Sequence, residues 1–134
     1  MRTKLSLASE EVHKIVAACR AEVTELKCAA TIAIVDESGN PLYLERMDGP
    51  GPLSCDVAMG KAKTAAWTRQ PSRTAEERLP GRLGYLAIDG FLALQGGVPV
   101  LYQGQCVGAI GISGGPSPQA DEQIALAGAK AVAA

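Results

Sequence analysis

The run Leu44-Glu-Arg-Met-Asp-Gly49 sets Glu45, Arg46 and Asp48 within four residues of one another. An arginine can fix a carboxylate through two parallel hydrogen bonds, so Arg46 is a candidate anion-binding group. Asp48 is the partner that would neutralise Arg46 inside the same loop. Two glycine pairs, Gly96-Gly97 and Gly114-Gly115, offer bare backbone amides that a ligand could approach and that could stabilise developing negative charge. Proton transfer would fall to Glu45, Glu122 or His13. His13 is the sole histidine. It lies about 100° round the helix from Val12, at the edge of an apolar stripe, where it is either a boundary residue or a ligand. Lys61 is read as a solvated cation or, alternatively, a ligand contact. Asp121 stands beside Glu122 at the start of the last helix.

Several chemistries are excluded. No Ser/His/Asp set can be assembled, and Gly111-Ile-Ser-Gly-Gly115 does not match the GxSxG nucleophile turn. One histidine without paired cysteines gives no structural zinc site. GGVPVLYQG does not lead a strand into a helix and is no dinucleotide fingerprint. Acidic and basic residues nearly balance, 14 against 13, so there is no electrostatic footprint for nucleic acid. No apolar run approaches the roughly 20 residues that span a bilayer. Charges interrupt the N-terminal segment where a signal peptide would be apolar. Cys19, Cys28, Cys55 and Cys106 form no CxxC pair and read as small buried hydrophobes in a reducing compartment. A cytoplasmic protein is expected.

The elements that must position these groups follow from periodicity. Val12, Ile15, Val16, Cys19, Val23 and Leu26 recur at helical spacing from about Ser9 to Leu26, with Ser6 or Ser9 as cap. Thr31–Val35 is a continuous β-branched run, and after the turn Asp36–Asn40 the chain returns through Pro41–Met47. In that return strand Leu42, Leu44 and Arg46 share one face and Tyr43, Glu45 and Met47 the other. If the leucines face the core, Arg46 points inward. A helix over Ser54–Trp67, capped by Ser54, is rich in alanine and glycine, which suits close packing on a sheet. Trp67 at its end reads as a packing anchor. Thr74-Ala-Glu-Glu77 matches a capping box for a short helix. Leu86–Leu94 is ambiguous between strand and short helix.

The centre of the chain is the hairpin Val98–Tyr102, Gln103-Gly104-Gln105, Cys106–Ser113. Gly108 and Gly111, three apart, fall on opposite faces of its second strand. Each signals either close approach by another backbone or a ligand. Ser117 and Pro118 then open a last helix as N-cap and first residue. Strand pairs joined by tight turns, with helices between, give an antiparallel α+β sheet in one domain spanning residues 1–134.

Five blocks carry a resemblance: LERMDG at 44–49, AMGKAKTAA at 58–66, QGGVPV at 95–100, VGAIGISGG at 107–115 and DEQIALAG at 121–128. With the first helix they resemble the GlcG/HbpS-like haem-binding or "haem-degrading" family, also seen as the C-terminal domain of PduO-type proteins, over nearly the whole chain. The resemblance implies a profilin-like fold, with a five-stranded antiparallel sheet flanked by helices, and a homo-oligomer. It implies haem or a related tetrapyrrole as ligand, with His13 as the ligand to the iron and Arg46 or Lys61 near a propionate. The residues leave a second reading open, an enzyme acting on a small anionic carboxylate through Arg46, Glu122 or Glu45. A third is an oligomeric scaffold without a ligand.

Overall fold

The central hairpin closes because Gln103 and Gly104 both take positive φ, 49° and 77°. That is the two-residue turn whose twist matches that of the strands it joins. The structure, a computed structural model that describes residues 1–132, orders its elements as α1 (Ser9–Glu25), β1 (Thr31–Asp36), β2 (Pro41–Arg46), α2 (Leu53–Thr68), α3 (Ser72–Arg78), β3 (Gly97–Tyr102), β4 (Gln105–Ser113) and α4 (Pro118–Lys130). Short 3-10 turns at Leu79–Gly81 and Leu83–Ala87 follow α3. All strand pairs are antiparallel, in the order β2-β1-β4-β3.

The sheet therefore has four strands among the described residues, where the resemblance implied five. Leu86–Leu94 supplies no strand. Its first residues belong to a 3-10 turn, Gly90 takes φ +81°, and residues 91–94 are irregular. The backbone of Leu92 is anchored from outside the sheet, its N–H donating to Thr64 Oγ1 at 2.7 Å.

Two apolar clusters cover the two faces. On one face, α1 and α4 pack through Ile15, Cys19 and Ile124 onto Ile32, Ile34, Ile110, Ile112, Val98 and Val100. On the other, alanines of α2 at 58, 62, 65 and 66 meet Ala33, Val35 and Ala109. The second face is so thin in side chains that backbone meets backbone. Gly97, Gly111, Ala33 and Leu44 form one row across the sheet. A Cβ on Gly111 would collide with the carbonyl oxygen of Ala58, and one on Gly97 with that of Lys61. Gly108 faces the opposite side, against Leu7. The paired glycines of β4 are thus spaces for α2 and for the N-terminal segment.

The same row corrects the reading of β2. Leu44 lies in it, on the α2 side, yet α2 sits over β1 and β4 and leaves the edge strand open. Leu42 and Leu44 are 42% and 48% exposed. Arg46 shares their face and is exposed, not turned into the core. Tyr43 and Met47 are the side chains of this stretch that pack on the core.

Helix starts also differ. Ala8 occupies the cap of α1, with its N–H donating to Glu11 Oε1 at 3.1 Å, so neither Ser6 nor Ser9 caps. Ser54 lies inside α2, where its hydroxyl bonds Gly51 O and Thr31 Oγ1. α3 begins at Ser72, two residues before the expected capping box. Ser117 caps α4 as expected, accepting from Ala120 N–H at 3.0 Å, with Pro118 first in the helix.

Trp67 is an anchor. Its Nε1 donates to Ser38 O at 2.9 Å and its ring fills the space beside Gly39 and Gly90. All four cysteines are free. Cys19 is fully buried, and burial pushes its thiol from 9.0 up to about 12, slightly opposed by a backbone hydrogen bond from Gly128. The folded state thus favours the neutral thiol. This contribution is fully present below pH 9.0 and is lost as pH rises toward about 12. We expect the urea midpoint to fall over that window, and to fall less in Cys19→Ala once its lower starting stability is subtracted. Equal pH dependence in the two proteins would remove Cys19 as the cause.

Candidate functional site

Lys61 was expected to be solvated, and it is 4% exposed. It sits near the middle of α2, on the face that small side chains bring down to the sheet. Its Nζ donates to Ile112 O at 2.8 Å and to Asp121 Oδ2 at 3.1 Å. Asp121 is equally buried, and its Oδ1 accepts from Gly115 N–H at 3.0 Å. The expected ligand contacts Gly96, Gly97 and Gly115 crowd this ion pair. A Cβ on Gly96 would stand 2.6 Å from Lys61 Nζ, and one on Gly115 would meet Asp121 Oδ1. Gly97 N–H is taken by Ser72 Oγ at 2.8 Å. Gly114, at φ +80°, abuts Pro50.

Lys61, Gly96, Gly97, Gly114 and Gly115, far apart in sequence, therefore meet where α2, the end of β4 and the start of α4 join. Glu122 lies next to them and is tied differently, with Oε1 accepting from Arg73 Nε at 3.2 Å and Oε2 from Gln95 Nε2 at 3.1 Å. Burial excludes a ligand from the Lys61–Asp121 pair, and each charge has a protein partner. The arrangement locks three elements together. Asp121 is its essential acid, and a carboxylate one helical step from Glu122 was the only sequence signal for it.

A second polar group forms on the other side of the sheet. Glu45 shares a row with Ile32 and Ile112, facing α1. It forms an ion pair with Arg20 of α1 and accepts a hydrogen bond from the Tyr43 hydroxyl at 2.8 Å. Burial, and then the hydrogen bond to Glu45, push the Tyr43 hydroxyl above its usual value. Arg20 carried no signal in the sequence beyond its charge, and its role depends on strand parity in β2. Arg46 lies on the opposite face from Glu45. Arg46 and Asp48 are both exposed and form no ion pair with each other among the described residues. The expected catalytic set of Arg46, Glu45 and Glu122 is thus spread over both faces of the sheet. The structure does not bring it together.

His13 is exposed on α1. It precedes Arg20 by two helical turns and lies on the same flank of the helix, about 10.5 Å away along the axis. An open cleft of about 370 Å³, lined by Leu5, Leu7, Glu11, Lys14 and Tyr102, lies across the helix from it. Among the described residues no group of three or more His, Cys, Asp or Glu could hold a metal ion, and no helix is long and apolar enough to cross a membrane.

This geometry has close relatives. Residues 7–130 match the family described as "Haem degrading protein HbpS-like". The chain belongs to the HbpS-like family. Among curated relatives, protein GlcG of Escherichia coli K12 is 36% identical over 114 residues, covering 84% of this chain and 85% of that protein. A double mutant of Streptomyces reticuli HbpS superposes with a TM-score of 0.90 at 36% identity, over 97% of this chain and 89% of that one. The PduOC:haem complex superposes with a TM-score of 0.86 at 25% identity, over 96% of each chain. The HbpS-like chain described here shares with these structures an α+β fold with an antiparallel sheet.

Proposed function

We propose that this HbpS-like protein binds haem or a related tetrapyrrole on the α1 surface, with His13 as axial ligand. The observation that carries the reading is the exposed imidazole of His13 in a fold that superposes on a haem complex over nearly its whole length. No protein hydrogen bond occupies the His13 ring among the described residues, which leaves a ring nitrogen available to iron. A bound haem would supply redox or ligand-binding chemistry at its iron. Arg20 replaces Arg46 and Lys61 as the cation suited to a propionate, since Lys61 is buried and Arg46 faces away. We read the sheet and its flanking helices as a profilin-like arrangement with one strand fewer than expected. The exposed apolar side chains of Leu83 and Leu86, 64% and 73% accessible, support a homo-oligomer. The free thiols support a reducing, cytoplasmic setting.

The test is a haem titration followed by absorbance, with His13→Ala alongside. We expect a saturable Soret shift at one haem per protomer, weakened at least tenfold in His13→Ala. A shift indifferent to the substitution would remove His13 as ligand, and no shift at all would remove the tetrapyrrole. Against the second reading, an enzyme for a small anionic carboxylate, we weigh that Glu45 and Arg46 lie on opposite faces of β2 and that Glu122 is paired with Arg73 and Gln95.

A further inference from the structure

The segment from Leu79 to Gly90 is ordered without being buried. Its two 3-10 turns contain no buried residue and approach no helix or strand except α3. The segment is held by its own turns, Arg82 N–H donating to Leu79 O and Tyr85 N–H to Arg82 O, both at 3.0 Å. Tyr85 packs on Phe91 with ring centroids 4.7 Å apart, and the Arg82 guanidinium lies over the Tyr85 ring at 5.4 Å. Leu83, Leu86 and Ile88 are nevertheless exposed. Fixing such a stretch costs conformational entropy, which its apolar side chains offset only when something covers them. Within the chain nothing covers these three.

Beside this arm lies a groove of about 440 Å³, lined by Leu53, Val57, Met59 and Phe91 together with Asp56 and Lys63. Phe91 also lines a smaller hollow of about 170 Å³ with Leu79 and Leu86, so ridge and groove form one continuous face. Leu53 is exposed as well. The four exposed side chains present roughly 500 Å² of apolar surface, at the upper end of what a monomer shows, and such patches mark interaction sites. The face carries both signs of charge. Arg82 on the arm and Asp56 in the groove are exposed, and neither joins an ion pair among the described residues.

We propose that this face is the contact between two copies of the chain related by a two-fold axis, the arm of each lying in the groove of the other. A second copy fits because one surface supplies ridge, groove, cation and anion together. In a two-fold contact, whatever one residue meets on the partner is met in return. Arg82 then faces the partner's Asp56 at both ends of the interface, while Leu83 and Leu86 cover the apolar groove twice over. An unrelated apolar helix could fill the groove but would leave the arm bare. The net charge of −1 sets little repulsion between copies. The contact rests on the homo-oligomer proposed above and is independent of haem.

The experiment is sedimentation equilibrium of the full chain over a concentration series, with substitutions confined to this face. We expect a dimer, or an even-numbered assembly that contains it. Leu83→Ser combined with Leu86→Ser should raise the dissociation constant of this contact at least tenfold. Arg82→Glu and Asp56→Arg, each alone, should also raise it at least tenfold, because each sets like charges against one another. An equimolar mixture of those two variants should return to within threefold of the unaltered protein, since opposite charges then meet at both ends. Only a reciprocal contact gives that rescue. All four positions are exposed, and an unchanged circular dichroism spectrum verifies the fold of each variant. A monomer at every concentration would overturn the contact together with the homo-oligomer, and would leave the face to a different occupant. An oligomer indifferent to all of these substitutions would overturn this contact alone. Loss of assembly in the single variants with no rescue in their mixture would overturn the two-fold pairing.

Discussion

Gly111→Ala is expected to destabilise the protein by about 4 kcal/mol or more, near the upper end of single-residue effects. The added Cβ would meet the carbonyl oxygen of Ala58 and the amide nitrogen of Ala62, both of them backbone atoms of α2. A side chain could rotate away. A helix backbone cannot, so α2 would have to rise from the sheet and open the alanine cluster beneath it. Gly104→Ala is the control. Nothing lies within 4 Å of a Cβ there, and only the positive φ of 77° opposes substitution. That change should cost about 1 kcal/mol. Urea unfolding of the two variants measures the difference. Equal losses would mean that α2 does not approach β4 as closely as the glycine row indicates.

Asp121→Ala should cost about 3–5 kcal/mol, because it strands the ammonium of Lys61 where only 4% of the residue reaches solvent. It also removes the acceptor of Gly115 N–H. The pair itself is not expected to be a large net stabiliser, since desolvation of both charges offsets much of their attraction. The double change Lys61→Met with Asp121→Leu should therefore lie closer to the parent than Asp121→Ala alone. A denaturation series on parent, single and double variants distinguishes these contributions. If Asp121→Ala costs less than about 1 kcal/mol, the pair behaves as an exposed one and the junction of α2, β4 and α4 is looser than described.

These two effects mark the boundary of what one-dimensional information carries. Local signals served well where the physics is local. The apolar stripe of α1, the β-branched run of β1, the Gln103-Gly104 turn and the Ser117-Pro118 start of α4 each depend on neighbours within a few residues. The bare glycines of β4 were legible as points of close approach, because a strand interior has little other use for them. Polar hydroxyls were less informative. Ser54 and Thr74 have the chemistry of caps, but Ser54 bonds Thr31 across the fold and α3 begins ahead of Thr74.

Part of the candidate site could be read in the same way. The sequence by itself determined the glycine pairs, the lone His13, the two-face parity of β2 and membership of the HbpS-like family. Parity separates Glu45 from Arg46, but it does not say which face is covered. That was decided by α2, which lies over the glycine row and stops short of the edge strand, leaving Leu44 and Arg46 in solvent and turning Glu45 toward Arg20. Lys61 looked like any helix lysine until the fold brought Asp121 to it across 60 residues. Burial and charge pairing are properties of three-dimensional neighbours. Only the tertiary structure, by setting α2 against β4 and α4, could make a surface-type residue the centre of the most deeply buried ion pair among the described residues.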